Sequence, residues 1–273
     1  MSQTYIHGHH PSVLRSHTWR TAENSCPHLL PHLNSRSLRI LDIGCGPGTI
    51  TVDLAARVPE GHVLGVDTSA DVVAKAQAHA KEKGIKNVEF VVGDVYNLAA
   101  LGLHESSFDV VHAHQVLQHI PDPLGAMREM RRFAKIGGVV AVRDVSFEAC
   151  QWYPDVPVMR KWLDLYLQVA KGMGGDPNMG KSLHAVAMKA GFERKDIETS
   201  VGTWCFSTPE ERAFWCGLWA DRTVQSDFKK NAVTGGYVRE EELTDIVEGW
   251  RELERREDGW FSVVHGQVIC WKR

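Results

Sequence analysis

A chain of 273 residues, 43% hydrophobic and 24% charged, has the composition of a folded globular protein and is long enough for one large domain. Its formal net charge of -3, with no long run of Lys or Arg, argues against a nucleic-acid surface, and no apolar stretch is long enough to span a membrane. The start from Met1 to His10 is polar and lacks the apolar core of a signal peptide, and the six cysteines form no C-x-x-C pair, so a reduced, cytoplasmic protein without a bound metal is expected.

Residues 11–33 read as helical. Residues 38–43 are a short apolar run that stops at glycines, as a buried parallel strand does. A helix over 48–57, a strand over 62–66 ending at Asp67, and an amphipathic helix over 71–83 follow, with Ser69 as its cap and Gly84 as its stop. Strands are expected over 87–92 and 108–114, a helix over 123–133, and a fifth strand over 139–145 after a turn at Gly137-Gly138. Short connections between alternating strands and helices imply an α/β, Rossmann-like, doubly wound and mostly parallel sheet. Later come helices over 157–172, 180–190, 209–229 and 239–256, and strands over 197–206 and 261–271. The plan is one domain with a seven-stranded sheet: an N-terminal helical lid (1–36), a cofactor-binding core (37–146), a late helical cap with a strand (147–260) and a final strand (261–273).

Ligands of open α/β sheets bind beyond the carboxyl ends of the strands. Three features fall there. The loop Gly44-x-Gly46-x-Gly48 permits a tight turn and close approach of a ligand to the backbone. Asp67 is placed to accept both hydroxyls of a ribose, and Gly93-Asp94-Val95 to receive an adenine, Asp94 taking its amine and Val95 its ring face. A glycine loop alone also fits NAD or FAD. Asp42 separates the possibilities, because a carboxylate just before the glycines repels a pyrophosphate and suits the ammonium of a methionine moiety. Against this stands the reading that each acid only caps a turn or a helix.

The sequence resembles the UbiE/COQ5-type (methyltransferase type 11) branch of class I S-adenosylmethionine (SAM) dependent methyltransferases. Leu41-Asp42-Ile43-Gly44-Cys45-Gly46-Pro47-Gly48-Thr49 is similar to their first motif, Gly65-Val66-Asp67 to their ribose-binding strand end, Gly93-Asp94-Val95 to their adenine motif, and residues 116–123 to the motif after their fourth strand. The resemblance implies SAM as cofactor. It implies Asp42, Gly44, Cys45 and Gly46 at the methionine moiety, Asp67 and Thr68 at the ribose, Gly93, Asp94 and Val95 at the adenine, and Gln115 near the ligand. It also implies an N-terminal lid, with Arg20 or Arg15 pairing with the SAM carboxylate and Tyr5 and His10 closing over it.

His114-Gln115-Val116-Leu117 stands where amino-methylating enzymes of DNA and protein glutamine carry Asn/Asp-Pro-Pro-Tyr, so a small-molecule acceptor is expected. Eight of the nine tryptophans follow residue 150. Trp152, Tyr153, Trp204, Phe206, Trp215 and Trp219 are candidates to wall an apolar or aromatic acceptor pocket, although each alone reads as a core residue. Candidate bases are His119 first, then His114, Asp144 and His10. A non-catalytic SAM-binding module and a NAD-dependent oxidoreductase are the competing readings.

Overall fold

In the computed structural model, which describes residues 11–273, the N-terminal segment folds as α1 (Pro11–Thr18), α2 (Ala22–Ser25) and a 3-10 turn at Leu30–His32. The expected continuous helix is broken because Thr21 caps a new one, accepting from Asn24 N, and because Pro27 and Pro31 have no amide hydrogen to continue it. The core then alternates: β1 (Arg39–Ile43), α3 (Thr49–Arg57), β2 (His62–Asp67), α4 (Ala70–Glu82), β3 (Val88–Val92), β4 (Phe108–His114), α5 (Pro123–Phe133) and β5 (Ala134–Val145). Ser69 caps α4 and Gly84 follows it at positive φ, both as the sequence implied. The expected turn at the glycine pair 137–138 is an irregularity inside β5, with Gly137 at φ +80°. Strand β5 runs through it from Ala134, and the pairing register with β4 shifts between Phe108 and Val110.

The remaining elements are β6 (Gln151–Tyr153), α6 (Pro157–Gly172), α7 (Leu183–Lys189), β7 (Ile197–Phe206), α8 (Pro209–Gln225), α9 (Asp227–Thr234), α10 (Glu242–Arg255) and β8 (Trp260–Trp271). Helix α7 starts later than expected, after a 3-10 turn at Met179–Ser182, where Gly180 lies against the backbone of Asp144 and Gly266. The expected helix over 209–229 is two helices. Ser226 accepts from Phe228 N and donates to Arg222 O, and this competition for the backbone ends α8 and restarts the chain as α9.

The sheet has eight strands in the order β3-β2-β1-β4-β5-β8-β6, with β7 also paired to β8. Strands β1 to β5 are parallel, and β8 is antiparallel to β5, β6 and β7. The expectation of seven strands missed only β6. This short strand pairs with Trp260 to Ser262 of β8, beyond the stretch that β5 occupies, while β7 takes the opposite edge. Strand order reverses between β1 and its two neighbours β2 and β4, which opens a crevice at their carboxyl ends.

Two kinds of core result. The faces of the sheet are packed with aliphatic residues such as Leu41, Ile43, Val111 and Met127. The cap has an aromatic core in which Trp162, Trp219, Trp250, Tyr166 and Phe261 meet mostly edge to face, Trp162 and Trp250 at a centroid distance of 4.7 Å. No helix among the described residues is long and apolar enough to cross a membrane. Trp250 is fully buried in the cap, so Trp250→Ala should lower unfolding free energy by about 3–5 kcal/mol in a denaturant titration. A loss below about 1 kcal/mol would mean that the cap does not share the cooperative unit of the sheet.

Candidate active site

The crevice is a cleft of about 410 Å³, within the usual size of a small-molecule site. Its floor is the loop after β1. Gly44 and Gly46 have φ of +64° and +56°, and a Cβ on Gly44 would lie 2.5 Å from Val116 Cγ2. The loop is tied to the next strand by Gly44 N and Cys45 N, which both donate to Val66 O. At the end of β2, Asp67 accepts from Gly46 N at 3.1 Å and from Ser69 N at 3.0 Å, so its carboxylate is oriented before any ligand arrives. Gly93 N donates to Asp67 O, which brings the Gly93-Asp94-Val95 turn beside it.

Of the residues expected at the cofactor, Arg20, Asp42, Gly44, Cys45, Gly46 and Asp67 line this one cleft, together with Thr68, Gly93, Asp94, Val95 and Gln115. Tyr5 and His10 lie outside the described residues. Asp42 is more constrained than the sequence implied. It is 3% exposed; Oδ1 lies 2.7 Å from His112 Nδ1 and Oδ2 accepts from Thr51 Oγ1 at 2.5 Å. Its first task is to join β1, β4 and α3. Thr49, the last residue of the expected cofactor loop, lines the cleft as well, and sequence reasoning did not assign His17 and Asp227, which also line it. Asp227 arrives through the break at Ser226, for which the helical pattern carried no signal beyond a serine.

Gln115 follows β4 with φ +54°, a left-handed conformation uncommon for a side-chain-bearing residue. Its N–H donates to Arg143 O at 2.7 Å, and its Oε1 accepts from Arg20 Nη2 at 2.6 Å. The Gln115 amide nitrogen lies 2.9 Å from His265 Nε2 and donates to it. Burial and the nearby Arg143 and Arg20 guanidinium groups hold the His265 pKa well below its ordinary value, so the ring is neutral and its one proton sits on Nδ1. Arg143 Nη2 faces that nitrogen at 3.2 Å, a contact between two donors. Arg143 is therefore left with the Asn24 carbonyl at 2.9 Å and the face of Trp204 at 5.1 Å. Desolvation lowers its pKa to about 10, which keeps it cationic at neutral pH.

Behind Arg20 lies a smaller chamber of about 40 Å³. Phe147, Tyr166, Trp204, Trp215 and Trp219 wall it, and it shares Arg20, Gln115 and His119 with the cleft. Arg222 completes it, its guanidinium 4.8 Å over the ring of Trp219 and donating to Ser16 Oγ at 2.7 Å. Of the aromatic residues singled out in the sequence, Trp204, Trp215 and Trp219 reach this wall. Trp152 and Tyr153 do not; they form the short strand β6, and Phe206 stacks on Trp215 in the cap core.

A family model described as a methyltransferase domain matches residues 34–191. An uncharacterized methyltransferase of Schizosaccharomyces pombe is 32% identical, over 98% of this chain and 96% of its own length. The chain belongs to the methyltransferase-domain family. A demethylmenaquinone methyltransferase of Lactococcus lactis is 37% identical over 48% of this chain and 49% of its own length. The fold is that of a class I enzyme: a phosphoethanolamine N-methyltransferase of Haemonchus contortus, solved with S-adenosylhomocysteine, superposes with a TM-score of 0.55 at 19% identity, over 90% of this chain and 52% of that one. SAM is the cofactor of this methyltransferase.

The three described base candidates of the methyltransferase stand in different settings. His114, at the end of β4, lines the cleft; it is 5% exposed, and neither ring nitrogen has a hydrogen-bond partner among the described residues. Burial, and then the cations Arg20 and Arg143, hold its pKa well below the ordinary value. It is a neutral ring with one donor and one acceptor to offer. His119 also lines the cleft, but its Nε2 is 2.9 Å from Gln118 Nε2. Because Gln118 Oε1 already accepts from Val145 N, the amide nitrogen must donate, and the acceptor nitrogen of His119 is occupied. Burial, with Arg20 and Arg222, takes its pKa down to about 3, which makes it a poor proton acceptor.

Asp144 is not in the wall of either cavity. It is fully buried behind the loop after β4, where its Oδ1 accepts from Gln118 N at 3.3 Å, and burial pushes its pKa up to about 8. A carboxyl raised in the folded state contributes stability that is complete below about pH 3.8 and is lost as pH rises through about 8. Asp144→Asn, which keeps the acceptor and never ionises, should therefore raise the melting temperature relative to the parent at pH 8–9 and narrow the difference at pH 4–5. Calorimetric melts across that range check it; an equal shift at every pH would show that Asp144 does not titrate there.

Proposed function

We propose that this methyltransferase methylates an apolar or aromatic small molecule that enters beside Arg20 with one end in the aromatic-walled chamber. The observation that carries this reading is the adjacency of the two cavities: Arg20, Gln115 and His119 belong to the walls of both, so an acceptor in the chamber lies next to whatever the cleft holds. The demethylmenaquinone methyltransferase relative, named for a quinone, favours the same class.

In this reading Asp67 takes the ribose hydroxyls, Asp94 and Val95 receive the adenine, and the Gly44-Cys45-Gly46 turn carries the methionine moiety beneath Asp42. Thr68 and Gly93 complete the wall around the nucleoside. Arg20 and Gln115 stand at the carboxylate end. Bound SAM supplies a methyl group on a positively charged sulfur. The residues of the chain align the acceptor and exclude water, which is the main requirement of an in-line displacement. His114 replaces His119 as the group most able to touch the acceptor, because its two nitrogens are free to give and to accept a hydrogen bond. Asp144 acts at a distance, by holding the loop that carries Gln118. The protein works in the cytoplasm on this reading, without nucleic acid or membrane as partner.

Two measurements test it. Asp67→Ala should weaken S-adenosylhomocysteine binding by about 10- to 100-fold in calorimetry, the loss of charge-assisted hydrogen bonds to the ribose. Release of S-adenosylhomocysteine should then be seen with phenolic or other ring-bearing acceptors; turnover confined to small polar aliphatic compounds would remove the aromatic assignment.

A further inference from the structure

Four carboxylates stand in the wall of the large cleft: Asp42, Asp67, Asp94 and Asp227. Three of them are committed to the chain itself. Asp42 is 3% exposed, with Oδ1 at His112 Nδ1 and Oδ2 at Thr51 Oγ1. Asp67 holds Gly46 N and Ser69 N, one with each oxygen, and Asp94 Oδ1 accepts from Tyr96 N. Asp227 is exposed, and its carboxylate takes no hydrogen bond or ion pair from any described residue. Nor does α9 need it as a cap. Ser226 accepts from Phe228 N and fills that position, so the acid that follows adds only its charge to the helix start.

A series of contacts places Asp227 along the cleft. Ser226, beside it, donates to Arg222 O at 2.7 Å, and Arg222 Nη2 donates to Ser16 Oγ at 2.7 Å. One residue further, His17 O accepts from Thr49 Oγ1 at 3.2 Å, and Thr49 opens α3 directly after Gly48. Asp227 therefore stands on the side of the lid and the glycine turn, and Arg20 belongs to the same lid segment. Gly93 and Asp94 are grouped instead with Asp67, through Gly93 N and Asp67 O. An α-amino acid carries its ammonium and its carboxylate on one carbon. The acid that meets the first must stand in the same part of the wall as the cation that meets the second. Asp42, sealed in the core with both oxygens engaged, offers an ammonium little. An uncommitted carboxylate on the lid side offers it a full charge and free lone pairs.

We infer that Asp227 binds the α-ammonium of the cofactor, as the counterpart of Arg20 at the carboxylate and in place of Asp42. This rests on the cofactor placement given above, with Arg20 at the carboxylate end. The methionine moiety then bridges the glycine turn of the sheet and the first turn of α9 in the cap. Asp42 keeps the task of joining β1, β4 and α3.

The test titrates two ligands calorimetrically into the full chain: S-adenosylhomocysteine, and its deamino analogue, which keeps the carboxylate and lacks the ammonium. The parent protein should bind S-adenosylhomocysteine about 5- to 10-fold more tightly than the analogue, the lower end for a charge-assisted hydrogen bond because the carboxylate is exposed. In Asp227→Asn that preference should fall to within about twofold, with the affinity for the analogue unchanged, and Asp227→Glu should retain part of it. A purely structural role at the start of α9 would weaken both ligands alike, and that result overturns the inference. So does an Asp227→Asn protein that keeps the full preference, which would return the ammonium to Asp42 or to a backbone carbonyl. Equal binding of the two ligands by the parent protein also overturns it, while leaving SAM as the cofactor. Failure of the parent protein to bind either ligand overturns the cofactor placement itself, and the inference with it.

Discussion

The carboxylate of Asp42 is the constraint on which the cofactor end of this methyltransferase depends. It sits at the last turn of β1 before the glycines, contacts His112 on β4 and accepts from Thr51 on α3. Those three elements meet where the strand order reverses, and a polar group buried there must be fully engaged or it is destabilising. With Asp42 satisfied, the Gly44-Cys45-Gly46 turn is held in position by Val66 O, and Asp67 is held in turn by Gly46 N and Ser69 N. The cleft is thus assembled by a chain of short hydrogen bonds that runs from one strand end to the next. A ligand meets oriented donors and acceptors, and little ordering is left to be done on binding.

The other end is built on different physics. Sheet residues pack as interdigitated aliphatics, but the cap packs as aromatic edges and faces, with arginines lying on the indoles. Large rings bury area efficiently, and their negative faces accept guanidinium groups that aliphatic walls could not accommodate. This is why Arg143 and Arg222 can be buried at all. The lid joins the two ends: Arg20 reaches Gln115 at the crevice and Trp204 at the cap. The left-handed backbone of Gln115 turns its amide toward both Arg20 and His265, so the bend in the chain after β4 is where the cleft and the aromatic-walled chamber meet.

Much of this was readable before the structure. Short apolar strands ending at Gly44, Asp67 and Gly93 placed three loops at one edge of a parallel sheet, where they line one cleft, because buried parallel strands have a period and a length that local sequence reports directly. Base assignment was the weak point. His119, His114 and Asp144 are equally close to strand ends in sequence, yet one has its acceptor nitrogen occupied by Gln118, one faces the cleft unpartnered, and one is sealed behind the loop. Their partners Gln118, Val145 and Arg143 are named by no spacing rule. The break at Ser226, which delivers Asp227 to the cleft, was hidden inside an uninterrupted helical pattern.

Sequence alone therefore determined the alternation of strands and helices, the glycine turn and the acids beside it, since these rest on neighbours within a few residues of one another. Tertiary structure decided which tryptophans wall a cavity and which fill the core, how many arginines surround the chamber, and which histidine keeps its nitrogens free. Those outcomes depend on contacts such as Arg222 with Trp219 and Ser16, or Gln115 with His265, between segments brought together only by the closing of β8 onto β5 and of the lid onto α8. Burial and charge in such places are properties of the assembled interior, and no local pattern encodes them.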